Sequence, residues 1–403
     1  MFLVSCDKPR GINENNPNEA VPDKVANSDG SKNFTTETEI PAEAFAADSV
    51  TKTEGSNAGS VVNEKGDSVI KNEVAERSVM PEFSWDTLPL YMHIRKSKRF
   101  NTKELEYLSQ FPLITLEKFT GAKSFGTTDG GIIQAAKAIK KLNPKAKVLF
   151  YRNVICHYDG YRCNKQLESV PDPFLVDKSG NLSLIRDRIK AYDTSNPELR
   201  DWWVTSARDI CKSRYIDGLF LDGNIKILLH HFMRDKLPKG KKDATVEGYH
   251  EMMKQTRKAL GPNKLMFANI MRANQKDCGL VYMHYFDGSY LENFLNYVPD
   301  RIVKAIEAVQ KAARMGKIIA MTLSIGKTIA SDGIDEVRVG STDLRDLTKE
   351  AIDFKIALFL VCAEKYSYLY IKDGYSADVH RGKCESSMWL QSLPEYKKPL
   401  GPP

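Results

Sequence analysis

From about Pro81 onward, apolar residues follow two alternating patterns. Short unbroken runs at 90–94, 113–116, 148–151, 218–221, 265–268, 280–286, 318–323 and 368–371 have the length and composition of buried strands. Between them, apolar residues recur every third or fourth position at 102–110, 132–142, 197–212, 246–260, 302–313 and 347–362, which predicts helices. Thr102 reads as a cap for the first of these, while Asn143-Pro144 and Gly261-Pro262 stop two others. Eight strands separated by helices or helix-sized crossovers predict a (β/α)8 TIM barrel over residues 81–403. An open doubly wound sheet is the alternative; it ranks second because no Gly-rich phosphate turn follows the first strand.

The strand ends share a chemical feature. The 218–221 run stops at Asp222, followed by the turn pair Gly223-Asn224, and the loops after the strands of a parallel barrel carry its chemistry. Taken alone, Asp222 also fits an Asx turn that caps its own backbone. The other runs finish at Arg95, Glu117, Asn153, Asn269, Asp287 with Glu292, and Asp373, and a barrel would bring these groups to one polar mouth. Tyr151 and Tyr285 are the aromatic candidates for sugar contact. Residues 154–194 form an insertion rich in Tyr, Asp, Asn and Arg that would build one wall of a cleft. Trp202 and Trp203 share helical spacing with Val204, Ala207 and Ile210, so they read as core packing. His230 and His231 are adjacent and would not face the same way on a helix, so they are not read as a metal pair.

Composition divides the chain. Residues 7–80 are rich in Asn, Ser, Glu, Asp, Thr and Lys with almost no aromatic residues, a composition expected of a disordered linker. They carry 8 Lys and Arg against 14 Asp and Glu; with +7 for the whole chain, the remainder stands near +13. A basic barrel favours anionic partners, and Arg95, Lys118 and Arg152 are the side chains expected to hold an anionic substrate. The charges are scattered, with no zinc-finger spacing or RNA-binding signature, so no nucleic-acid partner is expected. Leu3-Val4-Ser5-Cys6 looks like a lipoprotein box; residues 1–6 then read as a signal-peptide remnant whose start lies upstream, with Cys6 the lipidated residue. That implies an exported barrel, lipid-anchored to a bacterial membrane. In that compartment Cys156 and Cys163, which flank His-Tyr-Asp-Gly-Tyr-Arg, could bridge. No cysteine spacing has a metal pattern, and no cofactor is expected.

Several stretches resemble one family. Phe111-Pro112-Leu113-Ile114-Thr115-Leu116-Glu117-Lys118, Asp217-Gly218-Leu219-Phe220-Leu221-Asp222-Gly223, Tyr285-Phe286-Asp287-Gly288-Ser289-Tyr290-Leu291-Glu292-Asn293-Phe294 and the closing Pro399-Leu400-Gly401-Pro402-Pro403 resemble hypothetical glycosyl hydrolase family fifteen over most of 88–403. The resemblance implies a barrel and a carbohydrate-active role. Relatives continue past Gly-Pro-Pro, which implies a C-terminal strand or flap beyond this sequence. Retaining barrel glycosidases of the α-galactosidase type are similar more broadly, with an Asp nucleophile after strand four and a carboxylic acid after strand six. Asp222 matches the first position. Glu292 or Asp287 would match the second, and Glu292 is preferred because Asp287-Gly288-Ser289 reads as a capping turn.

The leading expectation is therefore a membrane-tethered glycosidase with Asp222 and Glu292 as its catalytic pair. Arg95, Glu117, Tyr151, Asn153, Asn269, Tyr285, Asp287 and Asp373 are expected to bind substrate. A glycan-binding lipoprotein without catalysis is the first alternative. A metal-dependent barrel hydrolase or lyase using Glu117 and Asp222 is the second, disfavoured because His93 lacks a second His two residues on and Lys118 would repel a cation.

Overall fold

The computed structural model describes residues 79–229, 232–272, 276–292, 299–324, 349–380, 383–384, 386 and 389–401. Cys6, nearly all of the expected linker and His230-His231 lie outside the described residues. Eight strands run in sequence: β1 (Tyr91–Ile94), β2 (Leu113–Leu116), β3 (Lys147–Asn153), β4 (Gly218–Asp222), β5 (Leu265–Asn269), β6 (Gly288–Leu291), β7 (Ile318–Ser324) and β8 (Ser367–Lys372). Each pairs in parallel with the next. Leu90 bridges Leu369 in parallel and the Leu369 N–H donates to the Pro89 carbonyl at 2.8 Å, so β8 returns to β1 and the sheet closes as the expected barrel.

The helices among the described residues are α1 (Thr102–Leu108), α2 (Ala122–Phe125), α3 (Thr128–Leu142), α4 (Asn164–Leu167), α5 (Pro197–Cys211), α6 (Asn224–Leu228), α7 (Lys241–Leu260), α8 (Pro299–Arg314) and α9 (Lys349–Cys362). The cap of α1 is Asn101, one residue before the expected Thr102. Its side chain accepts the Glu104 N–H while the Glu104 carboxylate accepts the Asn101 N–H, which satisfies two otherwise free donors. Asn196 caps α5 and Pro197 occupies its first turn. A short antiparallel ribbon, β9 (Val379–His380) with β10 (Lys383–Cys384), follows β8.

The barrel is filled from within by alternate residues. Tyr91 of β1 meets Phe267 of β5 and Tyr290 of β6, each at 6.1 Å between ring centroids, and Phe220 of β4 meets Tyr290 at 5.4 Å. Such contacts span the interior, so 91, 220, 267 and 290 point inward, and the period of two sends His93, Asp222, Asn269 and Glu292 inward one layer higher. Below them glycine permits close strand approach. A Cβ on Gly218 would lie 2.1 Å from the Leu265 carbonyl, and one on Gly288 would lie 2.3 Å from that of Ile318.

On the outside, α5 packs Trp202 and Trp203 against the barrel, as their spacing predicted. Their indole N–H groups donate to the carbonyls of Cys163 and Asn153. Arg152 is enclosed by these rings and Tyr161, each between 5.3 and 5.5 Å away, and donates to Ser206 and to the Cys163 sulfur at 3.1 Å. Cys156 and Cys163, which could bridge in an oxidising compartment, are free thiols in this structure. The Cys163 sulfur turns instead to Arg152, and Cys156 is buried with its N–H on the Asn153 side chain. At the foot of the barrel, Phe83 packs on Tyr366 and Tyr368 at 5.8 Å, and the Tyr368 hydroxyl donates to the carbonyls of Pro81 and Glu82.

One strand differs from expectation. Residues 280–286 form a 3-10 segment and turns, and β6 begins at Gly288. The apolar run imitated a strand, whereas Gly288 and Ser289 are weak strand formers whose place is fixed by pairing on both sides.

Candidate active site

Three donors converge on Asp222 at the end of β4. The Tyr151 hydroxyl donates to Oδ2 at 2.6 Å, Asn153 Nδ2 to Oδ2 at 3.3 Å and Asn269 Nδ2 to Oδ1 at 3.2 Å. Burial, reinforced by Asp222, raises the Tyr151 pKa well above its ordinary value, so this phenol stays protonated and donates. Asn153 is itself held, since its Oδ1 accepts the N–H groups of Ile155 and Cys156. The Asx geometry, the alternative reading of Asp222, belongs to Asn153, and the Asp222 carboxylate faces the mouth.

Glu292 follows β6. Its Oε2 accepts from Asn269 Nδ2 at 3.1 Å and from Arg272 Nη2 at 2.7 Å, and its Oε1 accepts from the Tyr375 hydroxyl at 3.1 Å. One amide nitrogen therefore donates to both acids. Burial favours the neutral form of Glu292, but Arg272, Lys372 and Asn269 together outweigh it and lower the pKa. The site holds this residue as a carboxylate.

Glu117, at the end of β2, is fastened on both oxygens. His93 Nε2 lies 3.0 Å from Oε1, and Lys118 Nζ lies 2.7 Å from Oε2. Burial opposes ionisation there too, yet Lys118, His93 and Arg95 push its pKa far below the usual carboxylate range. Burial lowers the pKa of His93; its Nε2 faces Glu117, and its Nδ1 lies 3.1 Å from the Tyr91 hydroxyl, which itself donates to Thr115 Oγ1 at 2.6 Å. Glu117 thus acts as a fixed anchor under the mouth. Lys118, held by it, lies over the Tyr151 and Tyr158 rings at 4.8 and 5.3 Å.

The structure brings Arg95, Glu117, Tyr151, Asn153, Asp222, Asn269 and Glu292 to the C-terminal end of the barrel. Asp373 also lies at that end, where it is buried and accepts the Ser386 hydroxyl at 2.6 Å. Two expected site residues lie elsewhere. Asp287 precedes β6 and therefore sits at the opposite end, where its Oδ2 accepts from Arg257 at 2.5 Å and from the Met266 N–H at 2.7 Å. Tyr285 lies on the same far side, its hydroxyl 3.2 Å from His250 of α7. Both were misplaced by the strand start at 280. Arg152, expected to meet an anion, has the opposite parity to Tyr151 and is enclosed outside the barrel.

Arg272, Tyr290, Lys372 and Tyr375 complete the mouth. Lys372 Nζ lies 3.0 Å from the centroid of the Tyr375 ring and donates to the Tyr290 hydroxyl at 3.4 Å. Strand parity could have found Lys372, since Tyr368 and Tyr370 of β8 share its face. Arg272 and Tyr375 stand on loops and carry no comparable signal. Among the described residues, no three His, Cys, Asp or Glu side chains cluster so as to hold a metal ion. Two carboxylates sharing a donor in a barrel mouth can bracket a bond to be broken.

Similar solved structures include the glycoside hydrolase domain of PelA from Pseudomonas aeruginosa, 14% identical over 58% of this chain and 84% of that one, with a TM-score of 0.40. Alpha-L-fucosidase isoenzyme 2 from Paenibacillus thiaminolyticus is 15% identical over 77% of this chain and 48% of that one, with a TM-score of 0.43. The GH36 alpha-galactosidase AgaB from Geobacillus stearothermophilus is 11% identical over 73% and 40%, with a TM-score of 0.44. This chain thus spans less than half of the fucosidase and galactosidase chains. No curated protein matches it. Asn153, Asp222, Asn269, Glu292 and Lys372 all fall within residues 140–403, the span that matches hypothetical glycosyl hydrolase family 15, and the chain belongs to that family.

Proposed function

We propose that the barrel is a retaining glycosidase acting on a polysaccharide or oligosaccharide, with Asp222 as nucleophile and Glu292 as acid and base. The observation that carries this reading is the single Asn269 amide nitrogen, 3.2 Å from Asp222 Oδ1 and 3.1 Å from Glu292 Oε2. Because one nitrogen touches both, these two oxygens lie no more than about 6.3 Å apart, which supports the close spacing of retaining enzymes, about 5 to 5.5 Å, over the about 6.5 to 9.5 Å that inversion needs for an intervening water. In this mechanism Asp222 attacks the anomeric carbon from the face opposite the leaving oxygen, which Glu292 protonates. Glu292 then takes a proton from water as the water displaces Asp222. Arg95 and Lys118 at the rim support an acidic or sulfated sugar as the substrate class.

A second reading is favoured by the Arg272–Glu292 ion pair at 2.7 Å, which holds the proposed acid ionised. On that reading the cleft binds glycans without cleaving them. The purified protein incubated with a polysaccharide panel, with new reducing ends detected, separates the two. Release of reducing ends by wild type and its loss in Asp222→Asn and Glu292→Gln supports the glycosidase. Binding without release by the wild type supports the second reading.

The proposal extends to location: Cys6 is lipidated and residues 7–80 link the barrel to an exported membrane face. The Leu3-Val4-Ser5-Cys6 motif and the aromatic-poor composition support it. Mass spectrometry that finds unmodified Cys6 in the native host would refute it.

A further inference from the structure

Lys372 is a buried cation that the two-carboxylate scheme leaves unused. It ends β8 inside the barrel, only 4% exposed, and makes no ion pair within 4 Å among the described residues. Its ammonium begins an unbroken hydrogen-bonded series. Nζ donates to the Tyr290 hydroxyl at 3.4 Å, that hydroxyl lies 2.5 Å from the Tyr375 hydroxyl, and Tyr375 donates to Glu292 Oε1 at 3.1 Å. Both ends of the series fix the same direction, from the ammonium to the carboxylate. The series arrives at Oε1, while Arg272 and Asn269 hold Oε2, so a proton delivered this way leaves their contacts in place.

We propose that Lys372 is the proton store of Glu292, discharged through the hydroxyls of Tyr290 and Tyr375 before the glycosidic bond breaks. The proposal rests on Glu292 being the acid and base of the reading above. An N–H bond of Lys372 breaks as an O–H bond forms on Tyr290, which gives its own proton to Tyr375, which gives its own to Glu292. Lys372 ends as a neutral amine and Glu292 as a carboxylic acid, with both tyrosines unchanged. The transfer cancels two buried charges at once. When Glu292 later deprotonates water, the series runs in reverse and recharges Lys372.

The surroundings set the poise. Burial works against the ammonium, Glu292 and Glu117 favour it, Arg272 opposes it and Asp373 favours it, bringing its pKa down to about 7. His93, facing it from β1, is kept neutral by its own burial. A lysine so placed can release a proton near neutrality, which an arginine in its place could not. Lys372, Tyr290 and Tyr375 are thus positioning residues acting through Glu292.

The test compares leaving groups, using the methyl and 2,4-dinitrophenyl glycosides of whichever sugar the polysaccharide panel identifies. Dinitrophenolate departs without protonation, whereas methanol requires it. In Lys372→Arg and Tyr375→Phe, kcat on the methyl glycoside should fall about 10²-fold further than on the dinitrophenyl glycoside, within the range of general acid catalysis. KM should change little, and Glu292→Gln should show the same bias. Wild-type kcat/KM on the methyl glycoside alone should decline as pH rises through about 7. Equal losses on both glycosides would overturn the relay and leave Glu292 in its role. Absence of bias in Glu292→Gln, or no hydrolysis of any glycan, would overturn the underlying reading and the relay with it. Because Lys372→Arg adds bulk, Tyr375→Phe, which removes only an oxygen, carries the test if the former misfolds.

Discussion

At Asp222 three donors meet one carboxylate, so Asp222→Asn preserves volume while placing an amide donor among donors. On a hydrolysed substrate it should lower kcat by roughly 10³-fold or more with little change in KM, because the bond to the anomeric carbon is made only past the ground state. Steady-state kinetics check this. Lys372 gives a prediction about stability. Its folded pKa of about 7 lies below the ordinary 10.5, so between those values the unfolded chain binds more protons, and stability rises with pH across that window. At pH 7 and below the full penalty applies. Lys372→Met should therefore raise stability at pH 7, with a smaller gain at pH 9, measured by urea unfolding at both. The same variant should lose activity.

At the level of strands, spacing limits what the sequence can vary. Gly218→Ala would put a methyl 2.1 Å from the Leu265 carbonyl, and the pairing of β4 with β5 leaves little room to yield. We expect it to cost about 1–3 kcal/mol or more, read as a lower urea midpoint with an unchanged slope. Seven strands and the main helices could be read from apolar runs and helical spacing because those patterns arise from burial itself. β6 could not, because half of it is Gly288-Ser289 and a more apolar stretch precedes it. That misplacement carried Asp287 and Tyr285 to the wrong end. Asp222, Asn153 and Asn269 were legible as polar residues closing buried runs. Lys372 needed parity along β8, and Arg272 and Tyr375 needed the folded loops, since nothing local in sequence says where a loop residue returns.

On the scale of the molecule, charge and direction matter most. The sequence beyond residue 80 carries near +13, and Arg95 and Lys118 stand at the mouth. Binding of an acidic glycan should weaken as salt rises from about 0.05 to 0.5 M, while binding of its neutral counterpart should hardly change. Isothermal titration at both salts reads the difference, and equal response would mean that the charge serves some other surface. Phe83, Pro81 and Glu82 grip the beginning of β8 at the foot of the barrel, beside the point where the chain enters it. Mechanically, this is a handle at the base. A load applied at Phe83 would enter the staves through Tyr368, at the end of the barrel opposite Arg272 and Tyr375. A cup held by its foot keeps its rim undistorted.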